Sequence, residues 1–132
     1  MANSEDSKNV PAGVSPVASY QHFSRANGFI FVAGQVARNA DGIWVGLGDV
    51  AEQAKQVWRN IGSILAHAGA EPKHIVKVST FLTDRAHGPI STQARLEFLG
   101  DHRPPHSGVI VAALGSQEAM LEVEVIAWVP TE

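Results

Sequence analysis

Apolar positions along the chain recur with two periods. From residue 49 to 68, Ala54, Val57, Trp58, Ile61, Leu65 and Ala68 follow one another three or four apart, the stripe of a helix buried along one side. Asp49 is placed to cap that helix, and Glu52 three residues later completes the pattern of a capping box. Gly69 and then Pro72 mark its end. Elsewhere the pattern is that of strands. Residues 17–26 and 29–36 read as two strands around Asn27-Gly28, a dipeptide suited to a type I′ turn because both central residues there take positive φ. Residues 74–83 alternate as a third strand. Its two faces are Val76, Val78, Thr80 and Leu82 on one side and Ile75, Lys77, Ser79 and Phe81 on the other. A shorter helix is predicted over 90–100. Arg103-Pro104-Pro105 then forces an extended link, and strands follow over 107–113 and 120–129.

The order is β-β-α-β-α-β-β, which predicts an α+β fold: one sheet with both helices packed on one face. The last strand sharpens this. Leu121, Val123, Val125, Ala127 and Val129 form a wholly apolar face that belongs against the helices. The opposite face carries Met120, Glu122, Glu124, Ile126 and Trp128, too apolar for open water and too charged for a closed core. Such a patch marks an interface, so the expectation is an oligomer whose subunits meet over the sheet, with the carboxylates near the seam. Residues 1–16 are polar, then broken by Pro11, Gly13 and Pro16, and read as a mobile tail ahead of a single domain at 17–132.

Composition narrows the chemistry. The 132 residues are enough for one domain with its own core. Charged residues are 17% of the chain, against roughly 25% in globular proteins generally, again as if a partner covers part of the surface. A net charge of −3 without a basic stripe argues against nucleic-acid binding. The chain has no cysteine, which excludes a disulfide scaffold, a thiol nucleophile and a thiolate metal site, and is compatible with the expected cytoplasmic location. No apolar run reaches the ~18–20 residues of a membrane span, and the N-terminus has neither a basic nor an apolar leader region. His102 and His106 are four apart, but Pro104-Pro105 between them prevents the helix that would let them chelate, so no metal is expected. Ser107 lacks a base and an orienting partner. Gly46-Leu47-Gly48 lacks the lysine or third glycine of a phosphate-binding loop, and no cofactor is expected.

Three segments together carry a resemblance. The first is Ser19-Tyr20, followed by Gly28-Phe29-Ile30-Phe31-Val32-Ala33-Gly34-Gln35. The second runs from Asn60-Ile61 through Leu65 and Ala68-Gly69-Ala70 to the strand Val76–Leu82 with Thr83-Asp84. The third is Pro104-Pro105-His106-Ser107, then Leu114, then Leu121-Glu122-Val123-Glu124-Val125-Ile126-Ala127. In this order and spacing they resemble the YjgF/RidA family, also called L-PSP endoribonuclease-like, from about residue 17 to 129. The resemblance implies a chorismate-mutase-like fold, a homotrimer with a site at each subunit boundary, and hydrolysis of reactive 2-imino acids to 2-keto acids and ammonia without a cofactor. Matched by motif, Glu122 would be the catalytic glutamate that positions water, Tyr20 would border the pocket, and the backbone of Gly108 would lie beside the substrate.

The family's carboxylate-gripping arginine is replaced here by His106. A guanidinium is always charged and grips a carboxylate with two parallel hydrogen bonds. An imidazole offers one donor and is mostly neutral at pH 7. A charge-assisted hydrogen bond contributes roughly 1.5–3 kcal/mol, so losing it weakens binding by about one to two orders of magnitude. Arg103, three residues earlier, is the candidate to supply the charge from a neighbouring loop. Three functions follow. The first is an imine or enamine deaminase acting through Glu122, with Tyr20, His106, Gly108 and Arg103 binding a small imine, enamine or carboxylate. The second is a non-catalytic trimer of the same fold that binds a small metabolite or a protein and serves a regulatory role. The third, ribonuclease activity, is disfavoured by the charge. Glu122 either orients the attacking water or joins an intersubunit hydrogen-bond network. Glu124, roughly 7 Å further along the same face, either splits its pKa for acid–base work or pairs across the interface.

Overall fold

The computed structural model describes residues 10–130. Its strands are β1 (Phe23–Ala26), β2 (Phe29–Gln35), β3 (Ile75–Leu82), β4 (His106–Ile110) and β5 (Leu121–Trp128), and its helices α1 (Val50–His67) and α2 (Gly88–Leu99). One five-stranded sheet runs β1-β2-β5-β3-β4. Neighbours are antiparallel except β3 and β4, which are parallel and joined through α2.

The local signals explain the elements. The β1–β2 turn has φ of 51° at Asn27 and 85° at Gly28, both positive as a type I′ turn requires. The Asp49 side chain accepts the Glu52 N–H at 3.2 Å and caps α1. The reciprocal half of the expected capping box is absent: Glu52 lies 3.4 Å from Lys55 Nζ, and the Asp49 N–H donates to Gly46 C=O instead. At the other end Gly69 has φ of 82°; its N–H donates to Ala66 C=O, and the Ala70 N–H donates to Leu65 C=O. Those two bonds form the Schellman arrangement that only a residue tolerant of positive φ closes without strain.

Both helices lie on one side of the sheet, as expected. Leu121, Val123, Val125 and Ala127 of β5 are buried there with Ile30, Val32, Val78 and Leu82, against Ala54, Val57, Trp58, Ile61, Ile64 and Leu65 of α1. Helix α2 leans mainly on α1, where Phe98 stacks on Trp58 at 4.9 Å between ring centroids. Only Ser91 and Leu99 of α2 are fully buried, so a cleft remains between this helix and the β4 edge. Gln53, with 0% exposure, ties two loops together. Its amide donates to Gly46 C=O (3.1 Å) and Glu118 C=O (2.9 Å) and accepts from the Met120 N–H (2.9 Å).

Three further expectations are corrected. The first strand is confined to Phe23–Ala26. Residues 17–22 are instead irregular, held where the His22 ring meets Ser15 C=O at 2.6 Å and Gln35 Nε2 at 3.1 Å. Of the tail expected over 1–16, residues 1–9 lie outside the described residues, and within the rest Pro11 is buried and Val14, 4% exposed, belongs to the core. In β3 the alternation slips at its start. A register shift between Ile75 and Lys77 buries Ile75 and exposes Val76, the reverse of the strict two-residue reading. Beyond it Val78, Thr80 and Leu82 face inward as expected.

The face away from the helices carries exposed Phe29, Phe31, Val109 and Trp128. Among the described residues no helix is long and apolar enough to cross a membrane.

Candidate functional site

The sequence-selected residues fall into two groups on opposite faces of the sheet. Paired residues of adjacent strands share a face. His106 pairs with Val78 and Gly108 with Thr80, so both belong to the helix face at the open edge of β4. Glu122 pairs with Phe81 and Glu124 with Ser79, on the outer face. The single chain therefore does not bring Glu122 and His106 together.

The Glu122 group forms around a bulge. Val32 pairs with Val125 and Gln35 with Val123, so β2 carries one extra residue opposite β5, at Ala33-Gly34. A bulge re-aims the backbone beside it, and here it places Gly34 against the Glu122 carboxyl. A methyl group added at Gly34 would sit 2.7 Å from Glu122 Cδ and 2.9 Å from Cγ, closer than side chains tolerate. The carboxyl is half-buried. Desolvation raises its pKa above the ordinary glutamate value, and the charge of Glu124 raises it further. No cation forms an ion pair with it among the described residues. Tyr20, 55% exposed, lines a recess next to the bulge with Gly34, His22, Gln35 and Asn60 of α1. Beside it the outer face holds a hollow of about 500 Å³, lined by Phe31, Lys77, Ser79, Glu124 and Ile126 among others.

The His106 group occupies the cleft between β4 and α2, about 260 Å³ in volume. His106 Nε2 lies 2.7 Å from Arg95 Nη1 and 3.0 Å from Thr80 Oγ1. Partial burial lowers the His106 pKa, and the charges of Arg95 and then Lys77 lower it further, so the ring is neutral at pH 7. Gly108 is in reach because it lacks a side chain: a Cβ there would lie 3.2 Å from His106 Cε1. Its N–H is also placed for a ligand. The β3–β4 ladder is bracketed by Val78 N–H to Pro105 C=O and Val111 N–H to Leu82 C=O. Parallel ladders use alternate residues, so Ser107 and Val109 face β3 while the amides of His106, Gly108 and Ile110 face the open edge.

Arg103 is not brought to this cleft. Its Nη1 donates to Gly100 C=O and to His102 C=O, pinning the turn that follows α2. The residue that sequence reasoning missed is Arg95, whose guanidinium meets His106 from the helix above. A usable signal existed: Gly88, Ser91, Thr92 and Arg95 recur at helical spacing, a polar stripe on the side of α2 that lines the cleft. Among the described residues no group of three His, Asp or Glu side chains is set to hold a metal.

Comparison with known proteins agrees with this architecture. The family model of Endoribonuclease L-PSP matches residues 11–129. A RutC family protein of Pyrococcus abyssi is 33% identical over 113 residues, covering 86% of this chain and 88% of that protein. The structure of YyfA from Yersinia pestis, described as a Rid family protein of unknown function, superposes with a TM-score of 0.82 at 32% identity, covering 92% of this chain and 94% of that one. A Mycobacterium tuberculosis member of the YjgF/YER057c/UK114 family superposes with a TM-score of 0.74 at 27% identity, over 83% and 86% of the two chains. The chain belongs to the YjgF/RidA (endoribonuclease L-PSP) family.

Proposed function

We propose that this protein is an imine or enamine hydrolase that works as a homotrimer, with each site assembled from two chains. The observation that carries this reading is Glu122: a half-buried carboxyl with a raised pKa, held against Gly34 on an exposed face. A proton acceptor works best when its pKa is near the working pH, and raising a carboxyl moves it in that direction. The separation of the two groups argues for the assembly. One chain supplies Glu122 with Tyr20, and a neighbour's β4 edge supplies the Gly108 amide and the cleft behind it. A contact of one surface against a different surface closes into a ring, as a trimer requires. The exposed Phe29, Phe31, Val109 and Trp128 give that contact its apolar area.

The reaction balances without a cofactor. Water held by Glu122 adds to the C=N carbon as its proton passes to the carboxylate. Glu122 returns that proton to nitrogen, giving a carbinolamine; it then takes the hydroxyl proton and passes it to the same nitrogen as C=O forms and the C–N bond breaks, so ammonia leaves a carbonyl compound and the carboxylate is regenerated. The edge amide of Gly108 steadies the ligand. The test is release of ammonia and keto acid from 2-iminopropionate generated in place by an amino-acid oxidase. The protein accelerates release above buffer, and Glu122→Gln loses about 10²–10⁴-fold of that acceleration. Unchanged turnover in Glu122→Gln rejects the assignment.

A second reading is a trimer of the same fold that binds a small acid without turning it over. It is favoured by the α2–β4 cleft, whose lining contains two arginines and no carboxylate. Stabilisation by carboxylates in a thermal-shift screen, without turnover, would select it.

A further inference from the structure

We propose that Arg95 holds the carboxylate of the ligand and that His106 is its positioning residue, so the charge comes from helix α2 rather than from the β4 strand. This inference rests on the hydrolase reading for the nature of the ligand, a small 2-imino or 2-oxo acid.

Hydrogen-bond chemistry sets the direction of the central contact. A guanidinium has five N–H donors and no acceptor. At 2.7 Å from Arg95 Nη1, His106 Nε2 must therefore accept, which leaves the ring proton on Nδ1. A ring that accepts from a cation is neutral, in accord with its lowered pKa. His106 thus brings no charge to an anion. Its contact occupies one donor of Arg95 and fixes the plane of the guanidinium, leaving the other donors to the cleft. The Thr80 hydroxyl, 3.0 Å from the same nitrogen, holds the ring against the sheet.

The charge of Arg95 is uncompensated. Among the described residues it forms no ion pair, and burial and the nearby Arg103 both disfavour its charged form. Arg85 lines the same cleft, with the hydroxyls of Ser91 and Thr92, and no Asp or Glu joins them. In a chain of net charge −3, this convergence of guanidinium groups without a carboxylate is an anion site in which the ligand supplies the missing charge. The fork of a guanidinium matches a planar carboxylate. The volume of about 260 Å³ falls just below the ~300–1,000 Å³ of sites for drug-sized ligands, which restricts the occupant to a small acid. The first turn of α2 adds its positive end to the same space through Gly88.

The experiment pairs calorimetric binding of 2-oxobutanoate with turnover of 2-iminopropionate. It uses wild type, Arg95→Gln, Glu122→Gln and, as a control for lost charge, Lys55→Gln on the exposed side of α1. Arg95→Gln weakens binding and raises KM about ten- to hundred-fold with little change in kcat, the loss of one charged hydrogen-bond pair. Glu122→Gln does the reverse, keeping binding and losing kcat. Lys55→Gln matches wild type. For the positioning role, His106→Gln keeps an acceptor for Arg95 and retains most of the binding, whereas His106→Leu loses it. Wild-type binding by Arg95→Gln, or no binding of the oxo acid by wild type, overturns the proposal. If Arg95→Gln alone loses binding and no variant turns over, Arg95 stands and the hydrolase reading falls. If KM is unchanged in Arg95→Gln while Glu122→Gln loses kcat, the hydrolase stands and Arg95 falls.

Discussion

Replacing Gly34 by alanine separates catalysis from folding. The backbone of Gly34 lies outside the positive-φ region, so alanine introduces no conformational strain there. The nearest atoms to the new methyl group all belong to the Glu122 side chain, with Cδ at 2.7 Å and Cγ at 2.9 Å. Because Cγ is too close as well as the carboxyl, the whole side chain must leave its rotamer. An off-rotamer side chain costs of order 0.5–1.5 kcal/mol, and overpacking in general about 1–3 kcal/mol. Glu122 is half-exposed and has room to swing, so about 1 kcal/mol is the expected destabilisation. Activity responds differently. A general base moved out of reach of its water forfeits the ~10²–10⁴-fold it contributes. Gly34→Ala therefore folds nearly as well as wild type in urea titrations yet turns over 2-iminopropionate about as slowly as Glu122→Gln. The double variant is no slower than either single one, because both remove the same contribution. Full activity in Gly34→Ala, or a double variant slower by the product of the two single losses, refutes the placement of Glu122 as the base.

Four further outcomes follow. Gln53→Ala leaves the Glu118 carbonyl and the Met120 amide without their partner, while Gly46 C=O keeps the Asp49 N–H, and costs on the order of 2–4 kcal/mol by urea unfolding; a loss under ~0.5 kcal/mol would mean water replaces the side chain. Asp49→Ala, which removes the α1 cap, costs about 1 kcal/mol in the same assay. For Glu122, folding raises a carboxyl pKa, so the folded chain holds more protons than the unfolded one between the ordinary and the raised value. Stability is full below that window and falls as pH rises through it; Glu122→Gln flattens this segment of the urea-midpoint profile, and an unchanged profile contradicts the shift. Arg95→Gln removes both a donor and a positive charge from the His106 ring, so the ring's NMR titration moves upward; no movement would mean that the two side chains do not meet in solution.

The parts of the fold that local chemistry decides were legible in the sequence. The α1 stripe, the Asn27-Gly28 turn and the inward face of β5 each follow from spacing or from one residue's allowed φ. What escaped depends on contacts distant in sequence. The bulge at the start of β3 is a mismatch between two strands, invisible in either alone. Residues 17–22 leave the sheet because His22 finds Ser15 C=O and Gln35, not because they lack strand character. At the site, the motif placed Glu122, Gly108 and His106, but the sheet sends Glu122 and His106 to opposite faces. Arg103 looked like the nearest charge along the chain. In space that charge is Arg95, carried to His106 by the β3-α2-β4 crossover.

The position of β5 has a consequence for how the protein is made. The sheet order puts β5, the latest in sequence of the five strands, between β2 and β3, in the middle of the sheet. Until residues 121–128 have left the ribosome, the β1–β2 hairpin and the β3-α2-β4 unit have no strand in common. The facing edges of β2 and β3 stay open in the nascent chain, the kind of edge that recruits strands from other chains. Closing the sheet therefore waits on this non-local pairing and is slow to that extent. A chain stalled or truncated before residue 121 presents two unmatched half-sheets to the cell and becomes a substrate for chaperones or proteases.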